Sequence, residues 1–185
     1  MMRLGQIDPN IIGGIQENLD TVFANTKTTL ITETLEIPEK AYSKARWQYR
    51  SDIVLSLIHN FVEAQDSFDR ALGIVDVDLF TPRLNFVFGQ AEYNGKATVI
   101  SLWRLRPEFY GQTQDSRVLV ERSTKEAVHE LGHTLGLKHC SNPFCVMYFS
   151  NSIFETDRKQ SLFCSRCYLK TTTTVDKGKV LEGRV

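Results

Sequence analysis

The chain has 185 residues, 42% of them hydrophobic, with 22 basic and 22 acidic side chains. That length supports one sizeable core and leaves two independent domains cramped, and a formal net charge of zero offers no electrostatic footprint for nucleic acid or an anionic membrane. No apolar run approaches the roughly 18 residues of a membrane span, and the amino-terminal Met-Met-Arg-Leu-Gly-Gln-Ile-Asp lacks the apolar stretch of a signal peptide, so a cytoplasmic location without a membrane partner is expected.

Residues 2–7 read as a short strand ended by Asp8-Pro9. Over 9–23 the apolar residues Ile11, Ile12, Ile15, Leu19, Val22 and Phe23 recur at helical spacing, with Pro9 in the first turn. Residues 28–37 are rich in β-branched side chains and read as a strand that Pro38 stops. A long helix is expected over 51–64, its start open as far back as Tyr42, with Ile53, Leu57, Ile58, Phe61 and Val62 on one face. His59 lies on that helix and reads as a core or boundary histidine, not a ligand. Residues 70–76 form another strand, and 85–93 and 97–105 flank Asn94-Gly95, a hairpin signal. Residues 115–135 form the next helix, whose start is left open because Ser123-x-x-Glu126 matches a capping box. Strands alternating with helices and then a hairpin imply an α/β (α+β) fold, a mixed twisted sheet with packed helices. Residues 171–185, with four consecutive threonines, read as a flexible tail.

The last long helix carries His129-Glu130-Leu-Gly-His133-Thr-Leu-Gly136-Leu-Lys-His139, which holds three of the four histidines. On a helix His129 and His133 lie about 40° apart on one face, one turn above the other. So placed, two imidazoles can close on one Zn²⁺ at about 2.0–2.1 Å. Glu130 projects about 100° further round, poorly set to ligate the metal and well set to act as general base on its water. Gly136 can take positive φ, letting the chain leave the helix sharply so that His139 turns back as third ligand. Three imidazoles favour zinc on ligand grounds. Cys140-x4-Cys145 and Cys164-x-x-Cys167, which are all the cysteines, match the spacing of a four-thiolate structural zinc site. Two disulfides are the alternative, less suited to a chain without an export signal.

Between the cysteine pairs lies Met147. The extended histidine motif, a methionine after it, Cys140 directly after His139, C-x4-C-x-M and the distal C-x-x-C together resemble the archaemetzincins, a metzincin family with a second zinc site. The resemblance is densest over residues 125–170. It implies one metzincin-like catalytic domain over 1–170, with an upper subdomain 1–136 ending in the active-site helix and a small zinc-bound lower subdomain 137–170. It also implies that Met147 packs beneath the imidazoles as a hydrophobic floor, and that the strand ahead of the active-site helix offers its edge to an extended substrate. That strand maps by element order to 85–93 or its hairpin partner. Some metzincins place a tyrosine two residues after the methionine; here Tyr148 is the next residue and Phe149 holds that place, so Tyr148 is not expected to ligate.

The function these features support is zinc-dependent hydrolysis of a peptide or small protein substrate, with two zinc ions per chain and a monomeric state expected. The alternative is a catalytically weak or inactive zinc protein that binds peptides or protein ends. A nucleic-acid module is not expected on charge grounds, although Arg158, Lys159, Arg166 and Lys170 surround the distal cysteine pair. Trp103, Phe109 and Tyr110 are bulky enough to narrow a cleft, but packing in the core or hairpin is the better expectation for them.

Overall fold

The structure, a computed structural model, describes residues 1–23, 26–65 and 67–171. The regular elements run β1 (Met2–Leu4), α1 (Pro9–Val22), β2 (Thr34–Leu35), β3 (Tyr42–Ser43), β4 (Gln48–Arg50), α2 (Ser51–Glu63), β5 (Ala71–Val75), β6 (Leu79–Phe80), β7 (Gly89–Ala91), β8 (Ala97–Ser101), α3 (Ser116–Thr134) and α4 (Ile153–Arg158). The main sheet has the order β2-β1-β5-β8-β7 and is parallel except for β7, which returns antiparallel to β8. A second sheet, β3-β4-β6, is joined to the segment ahead of β7 by an isolated bridge between Leu79 and Val87.

β5 (Ala-Leu-Gly-Ile-Val) and β8 (Ala-Thr-Val-Ile-Ser) are buried at every position, which explains sequences that do not alternate with polar residues. A parallel strand covered on both faces needs apolar groups on both. Alternate side chains go to different cores. Leu72, Ile74 and Ile100 join Ile11, Ile12, Ile15 and Leu19 of α1 and Ala127 and Val128 of α3. Ala71, Val75, Ala97 and Val99 join Val54, Leu55, Ile58 and Val62 of α2. Each fully buried Ile or Leu contributes about 1.5–3 kcal/mol relative to exposure, so the helices are fixed on the sheet chiefly by these stripes. The α1–α3 cluster continues through Leu137, Cys140, Cys145, Val146, Met147, Ile153 and Cys167, so the region after α3 shares the core of the region before it.

Several sequence expectations are revised. Of 28–37, only Thr34–Leu35 joins the sheet; Ile31 N–H still reaches Met1 O at 2.8 Å, so the segment follows the edge without completing a ladder. β-propensity reports fit to a half-buried surface and does not guarantee strand pairing. The second helix starts at Ser51, because 42–50 form the β3–β4 hairpin, which turns at Trp47 with φ 57°. The hairpin around Asn94-Gly95 is present but shorter than expected, β7 covering 89–91 and β8 covering 97–101. α3 starts at Ser116, capped by Asp115, whose carboxylate accepts from the N–H groups of Arg117 and Val118, while Ser123 and Glu126 lie inside the helix. An Asp cap of this kind is worth about 1 kcal/mol. Trp103, Phe109 and Tyr110 pack neither in the core nor in the hairpin: they are 38–44% exposed, on short 3-10 turns after β8. His59 is a boundary residue, with Nδ1 2.8 Å from Glu92 Oε1. Residues 165–171 are helical and Thr171 is buried; the rest of the expected tail, 172–185, lies outside the described residues.

Candidate active site

α3 is buried at every position from Arg122 to Glu130, so the histidine motif lies on the inner part of a helix held from several sides. The Nδ1 of His129 hydrogen-bonds Val146 O and that of His133 hydrogen-bonds Leu137 O, both at 2.8 Å. Each ring therefore donates Nδ1–H to a carbonyl and turns the lone pair of Nε2 inward. The two Nε2 atoms stand 3.1 Å apart, and His139 completes a set of three ligand atoms that all lie within 4.8 Å of one another. Neutral imidazole lone pairs repel at that distance unless a cation lies between them. Two nitrogens bound to one tetrahedral zinc at about 2.0–2.1 Å would be spaced this way. The donor set thus fits zinc. Burial pushes the pKa of all three imidazoles below the ordinary histidine value, His129 furthest, so they present neutral ligands near pH 7.

Gly136 ends the helix with φ 82°. The N–H of Leu137 reaches Gly132 O and the N–H of Gly136 reaches His133 O, both at 3.0 Å, a Schellman closure that leads the chain round to His139. Any other residue would be strained by that φ, and its Cβ, 2.4 Å from Asn94 Oδ1, would push the Asn94 side chain aside. Asn94 is there because the hairpin turn docks on the helix end: its N–H donates to His133 O at 3.1 Å, and Tyr93 Oη donates to Gly136 O at 2.9 Å. The Asn94-Gly95 turn therefore serves the helix as well as the sheet.

Met147 is fully buried and rests against α3 at Gly132, where a Cβ would meet its Sδ at 2.4 Å. Glu130, 6% exposed, lies over Gly89 of β7, where a Cβ would come within 2.7 Å of Glu130 Cγ and of Val99 O. Burial first, and then the neighbouring Glu126, push the Glu130 carboxyl up to about 8, against the pull of Lys159. These residues open onto a cleft of about 450 Å³ lined by residues 84–91, by Glu126, His129, Glu130, His133 and His139, and by Phe149, Ser150 and Asn151. Phe149 lies 4.8 Å from the His139 ring, centroid to centroid, whereas Tyr148 does not line the cleft. Nor do Trp103, Phe109 and Tyr110.

Four free cysteines form a second cluster: the Sγ atoms of Cys140, Cys145, Cys164 and Cys167 lie within 4.8 Å of one another. The disulfide alternative is not the arrangement found. Burial alone would raise the Cys140 thiol, yet N–H donation from Asn142 and Arg166, together with the neighbouring thiols, brings it down to about 7. Cys145 and Cys167 are raised by burial. A divalent metal resolves the strain of four crowded thiols by taking them as thiolates, so this set also fits zinc. The backbone ties the two centres together: Cys140, next to His139, donates its N–H to Met147 O at 2.8 Å.

Sequence reasoning missed Gly89, Gly132 and the charged seam between α3 and α4. In that seam Lys159, with no exposed surface, pairs with Glu126 at 3.0 Å, and Glu126 also accepts from Thr156 Oγ1. Arg122 forms a bidentate pair with Asp157. Glu126 precedes Glu130 by four residues, one helical turn, which was the signal that it would share the same face. The nucleic-acid reading loses two of its basic residues here, since Lys159 is buried and Arg166 is turned onto Cys140.

The sequence profile of peptidase family M54 matches residues 13–173. The archaemetzincin of Methanocaldococcus jannaschii is 42% identical over 167 residues, covering 90% of this chain and 88% of its own. The crystal structure of archaemetzincin from Archaeoglobus fulgidus matches with a TM-score of 0.77 and 36% identity, over 91% of this chain and 97% of its own. That of a zinc-dependent peptidase from Methanocorpusculum labreanum matches at 0.83 and 28%, over 92% and 97%. Profile, relatives and solved structures agree with both metal-fitting clusters: the chain belongs to peptidase family M54, the archaemetzincin zinc metallopeptidases.

Proposed function

We propose that the chain hydrolyses peptide bonds at the histidine centre, with His129, His133 and His139 as zinc ligands and Glu130 as general base. The observation that carries this is convergence: one ring nitrogen from each of three histidines and a buried carboxyl group meet in one cleft beside an open strand edge. Zinc, when bound, lowers the pKa of water toward about 7 and polarises the substrate carbonyl. Glu130 takes the proton from the attacking water and returns it to the leaving amine. Its buried position over Gly89 sets the direction from which it meets the cleft. The substrate lies extended along β7, the terminal strand of the main sheet, pairing backbone to backbone. Met147 floors the imidazoles, Gly136 directs the chain to His139, and Cys140, Cys145, Cys164 and Cys167 hold a structural zinc that stiffens residues 137–170. We read 1–136 and 137–170 as upper and lower subdomains of one catalytic domain.

A cytoplasmic monomer is the state we infer. Cysteines gathered as one metal-type set suit a reducing compartment, no helix among the described residues is long and apolar enough to cross a membrane, and sedimentation checks the oligomeric state. The reading is tested by cleavage of a complex peptide library, followed by mass spectrometry, with zinc-loaded wild type beside Glu130→Ala. Cuts made by wild type alone support it. Equal cutting by both, or loss of zinc in the variant, would assign Glu130 a different role. No cuts from wild type would favour the binding-protein alternative.

A further inference from the structure

The β7–β8 ladder pairs Gly89 with Ile100, Gln90 with Val99 and Ala91 with Thr98. On either side, Ser101 N–H donates to Phe88 O and Glu92 N–H donates to Ala97 O. Antiparallel alternation therefore turns the backbone groups of 88, 90 and 92 toward β8 and those of 87, 89 and 91 away from it, toward the open side. The outward groups differ in what they meet. The N–H of Val87 donates to Leu79 O at 2.9 Å, a bridge to the second sheet. Two residues earlier, Asn85 O accepts from Arg46 Nη2 and from Gln48 Nε2, each at 2.9 Å. This closure is braced: Gln48 also donates to Asp78, and Asp78 is gripped by Arg104 through two bonds of 2.7 Å. The Arg104 guanidinium lies 4.5 Å above the Phe86 ring. At the other end the edge stops at the turn, where Asn94 N–H binds His133 O. The outward N–H and C=O groups of Gly89 and Ala91, the outward-facing residues of β7 itself, have no partner among the described residues.

Resting on the peptidase reading, we propose that the cleft grips a substrate backbone over only about three residues, and that the second sheet, through Arg46, Gln48 and Leu79, sets that limit. Gly89 and Ala91 flank one residue. An antiparallel chain bonding to both pairs over a three-residue stretch, about 10 Å at 3.4 Å per residue. Beyond that stretch, on one side, the Val87 N–H and the Asn85 C=O that a longer substrate would use are already taken by Leu79, Arg46 and Gln48, and on the other β7 has ended and the chain turns at Asn94 onto His133. The substrate class is then short peptides or short flexible stretches of chain, with no affinity gained through the edge from a longer extended segment.

The test is calorimetric binding of hydroxamates to the zinc-loaded protein, starting with acetohydroxamate and adding alanine residues one at a time on either side of the hydroxamate. Affinity is expected to rise on the order of tenfold for each pair of bonds completed, then stay level within about twofold once the ligand spans three residues. A continued rise at the fourth and fifth residues would overturn the limit. Ala91→Pro removes an outward donor and no ladder bond. It is expected to weaken the three-residue ligand severalfold and leave acetohydroxamate unchanged; equal weakening of both would contradict the edge assignment. Should that variant fold poorly, N-methylation of the ligand amides tests the same bonds on the unaltered protein, with the same loss expected and undiminished binding counting against the proposal. Absence of acetohydroxamate binding would instead overturn the peptidase reading, and this proposal with it.

Discussion

Gly89→Ala puts one methyl group at the contact between β7, the proposed substrate edge, and Glu130, the proposed general base. A Cβ there would lie 2.7 Å from Glu130 Cγ, 2.8 Å from Glu130 Oε1 and 2.7 Å from Val99 O, all inside the 3.4 Å at which ordinary contact begins. Val99 O belongs to β8, the strand that pairs β7 with the sheet interior, and cannot retreat without opening the ladder. Glu130 is the side chain with freedom to move, so several tenths of an ångström of the adjustment falls on it. Overpacking of this kind costs about 1–3 kcal/mol, and moving a catalytic group by about 1 Å costs on the order of 100-fold in rate. The variant should therefore fold, melt several degrees lower and keep both zinc ions, while kcat/KM on any peptide the wild type cleaves falls by roughly one to two orders of magnitude. Calorimetric melting, metal analysis and cleavage kinetics read the three quantities separately. Undiminished kcat/KM in a stably folded Gly89→Ala protein would refute the placement of Glu130 against β7. Loss of zinc would show that the methyl group disturbs the imidazoles and not the base.

Three further outcomes follow from the same contacts. Lys159→Met leaves Glu126 charged and buried without its partner, so it should destabilise by about 3–5 kcal/mol, with Lys159→Met/Glu126→Leu recovering much of the loss; equal destabilisation of single and double variants in denaturant melts would argue against an ion pair as the cause. Cys164→Ser should lower the melting temperature and also weaken zinc at the histidine site, because Cys140 adjoins His139 and binds Met147 O; unchanged affinity at the histidine site would show that the centres act independently. The pH dependence has a definite sign. Folded imidazole pKa values below the ordinary 6.5 keep the ligands neutral as pH falls past that point, so zinc should stay at the histidine site at pH 6.5 and leave only at lower pH. Half-release at or above pH 6.5 would contradict it.

Residues that act through local periodicity were legible in the sequence. His129, Glu130 and His133 are placed by helix geometry alone, Gly136 by the need for positive φ at the helix end, and the four cysteines by spacing. So were α1, whose apolar stripe repeats at helical period, and the hairpin marked by Asn94-Gly95. The structure has α1, the hairpin and the positive φ of Gly136, and brings the three histidines together and the four cysteines together; their roles are what we propose. What depends on distant parts of the chain meeting was not legible. Gly89 looks like an ordinary strand residue until Glu130, 41 positions later, is packed on it. Lys159 reads as a surface charge until Glu126 meets it across the α3–α4 seam. Residues 28–37 carry the composition of a strand, yet only Thr34–Leu35 finds a ladder, because pairing is decided by the partner strand and not by propensity. The open edge is the clearest case. Its chemistry is backbone N–H and C=O, which every sequence has, and its length is decided by Arg46, Gln48 and Leu79 reaching across from a second sheet. The sequence by itself determined the metal chemistry, because ligand spacing on a helix is a short-range property. Tertiary structure decided the shape of the cleft and which backbone groups remain open to a substrate, because these depend on contacts between segments far apart in the chain.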